Sequence, residues 1–142
     1  MNARNVYVFC KAIEPSVPLF MSLVSAGFPS PADDYIEQPL DLNAFVTIHP
    51  EATFFVRVQG ESMNHGEIHD GDILVVDRSL EARSGHVVIA ALYGEMVVKR
   101  LQYKSGRCFL SPDNPAFESY DITESSDCMI WGVVTHVLHT LL

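Results

Sequence analysis

The chain reads as a mainly β fold, a compact, barrel-like β-rich domain preceded by an extended N-terminal arm. Three observations lead there. Short apolar runs follow one another from Phe54 to the C-terminus, with the length and composition of strands. Gly71, Gly85, Gly94 and Gly106 fall between those runs, where turns need positive backbone angles. The first forty residues instead carry prolines and acids without a sustained apolar period. With 142 residues and 48% hydrophobic content, the chain has enough apolar surface for one ordinary core.

Taken in order, residues 1–40 are expected to form the arm. Its apolar run Val17 to Ala26 follows Arg4 and Lys11, and Val24-Ser25-Ala26 before Gly27 has the small-residue pattern of a leader-peptidase site. Glu14, Pro15 and Pro18 argue against a true export signal, and no run approaches the ~18 apolar residues of a membrane span. Phe28 to Pro39, with three prolines, has the composition of an extended linker. Asp41 then offers an N-cap to a short helix over LNAFVTI, which Pro50 forbids from continuing. Strands are expected at Phe54–Gln59, Asp72–Val76, His86–Leu92, Met96–Tyr103, Arg107–Leu110 and Met129–Leu138, with Trp131 in the core. The domain is drawn at residues 41–142.

Charge narrows the function classes. Nine Lys and Arg against eighteen Asp and Glu leave a net charge of −9, a field that repels phosphate backbones and favours protein partners. Direct, specific DNA binding is not expected. Cys10, Cys108 and Cys128 form no CxxC pair, which fits a reducing compartment such as the cytoplasm. Neither a cofactor nor a metal is expected. His65 and His69 lack an HExxH context, and His136 and His139, three apart in an expected strand, would face opposite sides.

The chemistry-bearing stretch is FFVRVQGESMNH, Phe54 to His65, in which an alternating run stops at Gly60 and delivers Ser62 just after the turn. Thirty-seven positions later, MVVKRL places Lys99 on the strand side shared with Val97, Leu101 and Tyr103, while Arg100 goes with the more polar side. A serine at a corner and a lysine among apolar neighbours are the parts of a Ser/Lys dyad, Ser62 as nucleophile and Lys99 as general base. A free lysine is neutral in only about one molecule in 2,500 at pH 7, so burial must lower its affinity for the proton. The main-chain N–H groups of Glu61 and Ser62 are the natural oxyanion donors at this corner. Two plainer readings stand beside this one: Ser62 as a turn former and Lys99 as an edge-strand charge against aggregation. Asp77 either orients a partner or ends a strand.

Four pieces together carry a family resemblance: Gly60-Glu61-Ser62-Met63, GDILVVDRS from Gly71 to Ser79, VVKRL around Lys99, and SPDNPAF from Ser111 to Phe117. In this order and spacing they resemble the LexA/UmuD family of self-cleaving Ser/Lys proteins, from about residue 25 onward. Residues 1–56 hold only Arg4 and Lys11 against six acids, which leaves no room for a basic helix-turn-helix domain. The resemblance is therefore to the UmuD branch, including the MucA-like accessory subunits of DNA polymerase V, rather than to the LexA branch.

The resemblance implies a LexA C-terminal-type catalytic domain in which Ser62 attacks the Ala26 carbonyl, Lys99 serves as base and the Ala26-Gly27 bond is cut. It also implies stimulation by a RecA filament on single-stranded DNA during the SOS response. The product would be a shortened homodimer that joins an UmuC-like Y-family polymerase for error-prone translesion synthesis. Fifteen residues separate Ala26 from Asp41, an extended reach of up to ~50 Å, so both cis and trans cleavage stay open. The alternatives are a non-catalytic β-rich interaction module, a LexA-like regulator without its DNA-binding domain, and an exported protein with a true leader.

Overall fold

The computed structural model describes residues 2–8, 17–20 and 36–142, which fall into two units. The larger unit takes in the first nine residues and His49–Leu142. Its sheet contains β1 (Asn2–Val8), β4 (Thr53–Gln59), β5 (Ile73–Asp77), β6 (Val87–Leu92), β7 (Glu95–Lys104), β8 (Arg107–Ser111), β9 (Tyr120–Asp121) and β10 (Cys128–Leu138). The smaller unit, Cys10–Ile48, contains the antiparallel pair β2 (Val17–Phe20) and β3 (Ile36–Leu40) and the helix α1 (Leu42–Val46).

The large sheet runs β1-β4-β5-β10-β6-β7-β8-β9, with every neighbouring pair antiparallel. An additional pairing of β1 with β7, Asn2 opposite Val97, joins the two ends of a six-strand run. The sheet thus closes on itself, the barrel-like arrangement expected of short strands that must hide their edges.

The six strands read from periodicity are present with ends shifted by at most a residue or two. Tight turns explain the order from β6 to β8. Tyr93-Gly94 and Ser105-Gly106 each fill a two-residue loop with both residues at positive φ, the type I′ geometry whose twist matches antiparallel strands. Four strands were not legible from pattern. β1, β2 and β3 fall inside the expected arm, the Val6-Tyr7-Val8 end of β1 having strong β propensity, and β9 has only two residues. The helix forms as expected: the Asp41 side chain accepts from the Ala44 N–H at 3.3 Å, and only Val46 of its five residues is buried.

Alternation along the strands feeds two apolar clusters. Val56, Val58, Met63, Ile68, Leu74, Val76, Ile89 and Val98 make one, and Val88, Ala90, Leu92, Val97, Leu101, Leu110 and Val133 the other. Trp131 packs against the first from a partly buried position, beside Phe54 at 5.1 Å between ring centroids and under the Arg78 guanidinium at 4.6 Å. Ser62, Asp72, Asp77, Lys99 and Asn114 are buried as well. Polar groups are tolerated at such positions only when hydrogen-bonded, and among the described residues no buried side-chain nitrogen or oxygen lacks a partner.

Candidate active site

β4 delivers the serine. After Gln59 the chain turns at Gly60, whose φ of 106° lies in the left-handed region open to glycine, and whose N–H donates to Asp70 Oδ1 at 2.7 Å. A tight turn follows, with the Asn64 N–H donating to the Glu61 carbonyl at 3.2 Å and the Gly66 N–H to the Met63 carbonyl at 3.1 Å. Met63, fully buried, anchors this turn in the first apolar cluster. Ser62 is left beneath the surface with no exposed area.

β7 delivers the lysine. Its neighbours Val97, Val98 and Leu101 are buried on both faces of the strand, and Lys99 opposes Val88 of β6. The Lys99 side chain is carried into the same interior, 4% exposed, and its Nζ donates to Ser62 Oγ at 2.9 Å. Burial pushes the Lys99 ammonium below its ordinary pKa, because a charged amine removed from water loses its hydration. The residues singled out as nucleophile and base are thus in direct contact.

A third segment, the loop after β8, fixes the corner from behind. The Asn114 N–H donates to the Ser62 carbonyl at 2.8 Å. Its side-chain amide donates to Asn64 Oδ1 at 2.9 Å and to the Glu61 carbonyl at 3.3 Å, while its Oδ1 accepts from the Ala116 N–H at 2.9 Å. The side chain of Asn64 in turn donates to Glu61 Oε2 at 2.8 Å. Asp113 supports the loop: its N–H approaches Met63 Sδ at 3.4 Å, and its carboxylate takes two bonds from Arg100, at 2.9 and 2.8 Å. A methyl group at position 66 would overlap the Asp113 carboxylate and displace it from this arrangement.

The SPDNPAF stretch was legible as a family element, but the task of Asn114 was not. Its partners lie 50 and 53 positions away, and nothing in the local pattern announces them. Asp77 does end a strand, and it also accepts from His49 Nδ1 at 2.6 Å and from the Ser79 N–H and O–H at 2.8 and 2.6 Å. Burial opposes its ionisation, yet these bonds together hold its carboxyl below the ordinary value. Glu61 is exposed, as a solvated side chain should be. Ala26 and Gly27 lie outside the described residues.

A strand-borne lysine is thus buried against a serine at a β corner, and comparisons with known proteins give the family of the chain. The Peptidase S24-like family model matches residues 18–135, and the chain belongs to that family. Among its relatives it is 49% identical to Protein MucA of Salmonella typhimurium over 87% of this chain and 84% of that protein. It is likewise 49% identical to Protein ImpA of Shigella flexneri, over 86% and 83%. The LexA repressor of Methylococcus capsulatus is 35% identical over 97% of this chain but only 68% of the repressor. The resemblance to the UmuD branch is borne out in these relatives. Among the described residues no helix is long and apolar enough to cross a membrane.

Proposed function

We propose that the chain is a self-cleaving serine peptidase in which Ser62 is the nucleophile and Lys99 the general base. The observation that carries this reading is the 2.9 Å contact between Lys99 Nζ and Ser62 Oγ at a buried position. In its neutral form Nζ accepts the hydroxyl proton as Oγ attacks the Ala26 carbonyl carbon. The main-chain N–H groups of Glu61 and Ser62 face the developing oxyanion. Collapse of the tetrahedral intermediate breaks the Ala26-Gly27 bond. Lys99 returns its proton to the departing Gly27 nitrogen, and Ala26 remains as an ester on Ser62. Water then gives a proton to Lys99, attacks the ester and releases the carboxylate, and Ser62 recovers its proton from the amine.

A tethered substrate has a high effective concentration, so a regulated protein must keep the arm, residues 1–40, out of productive geometry until a partner shifts the balance. We assign that role to a RecA filament on single-stranded DNA. The shortened chain, residues 27–142, then acts in the cytoplasm as a homodimeric subunit of an error-prone UmuC-like polymerase in the SOS response. The family membership and the MucA and ImpA relatives support this placement, and the net charge of −9 suits a protein that meets DNA through others.

The test is intact mass of the purified full chain with and without filament, beside Ser62→Ala and Lys99→Ala. A new N-terminus at Gly27 in the parent only, with both variants folded, is the expected result. Processing at Ala26 that survives in Ser62→Ala would instead assign the cut to an external leader peptidase.

A further inference from the structure

The segment that carries Ser62 holds a second polar constellation, well separated in composition from the dyad. Asp72, at the foot of β5, is 3% exposed. Its Oδ2 accepts the His69 N–H at 2.8 Å and lies 3.9 Å from His69 Nδ1. Its Oδ1 meets His139 Nδ1 at 2.6 Å, and His139 comes from 67 positions further along the chain, just past the end of β10. The two imidazoles lie side by side with centroids 4.9 Å apart and planes tilted by 41°. One ligand atom from each of the three residues falls within 4.8 Å of the others.

We propose that His69, Asp72 and His139 form a binding site for a divalent transition metal, with zinc the best match. Two imidazoles and one carboxylate are the ligand set of borderline metals, whereas magnesium and calcium favour all-oxygen shells. Three protein ligands around zinc leave a fourth position for water or an incoming group.

The geometry needs little change. Zinc bonds of ~2.0–2.2 Å place tetrahedral ligands ~3.3–3.6 Å apart, so a pair as wide as 4.8 Å must close by up to ~1.5 Å and the tight His139–Asp72 pair must open. The imidazoles can supply that movement, their side chains being 47% and 42% exposed, while the buried Asp72 stays fixed by the His69 N–H. Coordination through Nδ1 would take the place of the His139–Asp72 hydrogen bond and needs the Nε2–H tautomer of the imidazole.

The position gives the site a consequence. Asp72 is tied to the strand that leads into the Ser62 corner, through the Val58 N–H to its carbonyl at 2.9 Å. His139 belongs to the C-terminal segment and lines a groove of about 510 Å³ with Glu67, His86, Arg100 and His136. An occupied site would fasten the chain's end to the segment that presents the serine. Ligands that bind only the native state raise its stability with concentration, so zinc should raise the melting temperature.

The experiment titrates zinc chloride into the metal-free full chain against a chromophoric chelator, and repeats it with His69→Gln, His139→Gln and, as a neighbour control, His136→Gln. The expected outcome is one zinc per chain, weakened at least ~10–100-fold by either ligand substitution, the scale on which even outer-shell changes act, and unchanged in the control. Cobalt in place of zinc should give ligand-field absorption without a thiolate charge-transfer band, since Cys108 and Cys128 are not ligands. Melting curves without metal establish that each variant folds. Absence of binding, equal affinity in parent and both ligand variants, equal weakening in the control, or a thiolate band would each overturn the proposal.

Discussion

Lys99 and Arg100 are consecutive on β7, and the fold puts them in opposite electrostatic settings. Lys99 is 4% exposed against the Ser62 hydroxyl, and burial pushes its ammonium below the ordinary value. Arg100 is partly exposed and grips the Asp113 carboxylate with two bonds, which, against some desolvation, holds its guanidinium above the ordinary value. Strand alternation sorts the two cations onto different faces. The carboxylate goes to the guanidinium, which keeps its proton, and the buried amine lies against a hydroxyl. A cation held in an ion pair and a cation that burial disfavours thus differ by one position.

Exchanging the two chemistries breaks the comparison most sharply. Lys99→Arg keeps a cation on the strand but removes the releasable proton, and it should lower the rate of appearance of the Gly27 fragment by about 10³-fold or more. A rate near the parent's would mean that positive charge, and not basicity, is what the site needs.

Next in size is the support behind the serine. Asn114→Ala removes the amide that holds the Glu61 carbonyl and Asn64 and should slow cleavage by about 10²-fold through misplacement of Ser62. The same change should cost about 1–3 kcal/mol in urea unfolding, measured in a Ser62→Ala background, because it removes three part-buried side-chain hydrogen bonds at once.

The buried amine also leaves a signature in stability. Below the ordinary lysine pKa of about 10.4 the unfolded chain takes up a proton on Lys99, while the folded chain resists it until the lowered value is reached. Stability contributed at alkaline pH is therefore lost as pH falls between the ordinary and the lowered pKa, with the loss complete below the latter. Lys99→Met should be more stable than the parent at pH 7 by thermal melting, with the gain shrinking toward alkaline pH. An unchanged difference across that range would deny the proton a part in it.

The smallest effect belongs to the outer cation. Arg100→Ala should cost about 0.5–1 kcal/mol, since its pair with Asp113 is partly screened by water. Cleavage should fall only several-fold, because Asn114 still holds the loop.

Where the sequence was informative, the reason is local periodicity. Phe54 to Gln59 and Met96 to Tyr103 announce strands by alternation, and the same alternation puts Lys99 on the opposite face from Arg100 without reference to any other part of the chain. Ser62 was legible because a glycine ends its strand at the position where a corner must form. Asn114, Asp113 and His139 were not, since each acts on groups more than a dozen positions away and their own neighbourhoods carry no period that points there. His139 also escapes the strand reading: β10 ends at Leu138, and a register shift between Val134 and His136 interrupts the simple alternation from which His136 and His139 were placed.

The central claim is that burial turns Lys99 into a base for Ser62, and its most direct test is the pH dependence of self-cleavage. Intact mass of the full chain is followed over time from neutral to alkaline pH, without any partner, beside Ser62→Ala. The lowered ammonium pKa predicts a Gly27-starting fragment whose rate of appearance rises with pH and levels off once Lys99 is neutral, with none in the variant. A rate independent of pH across that range, or the same fragment from folded Ser62→Ala, would contradict it.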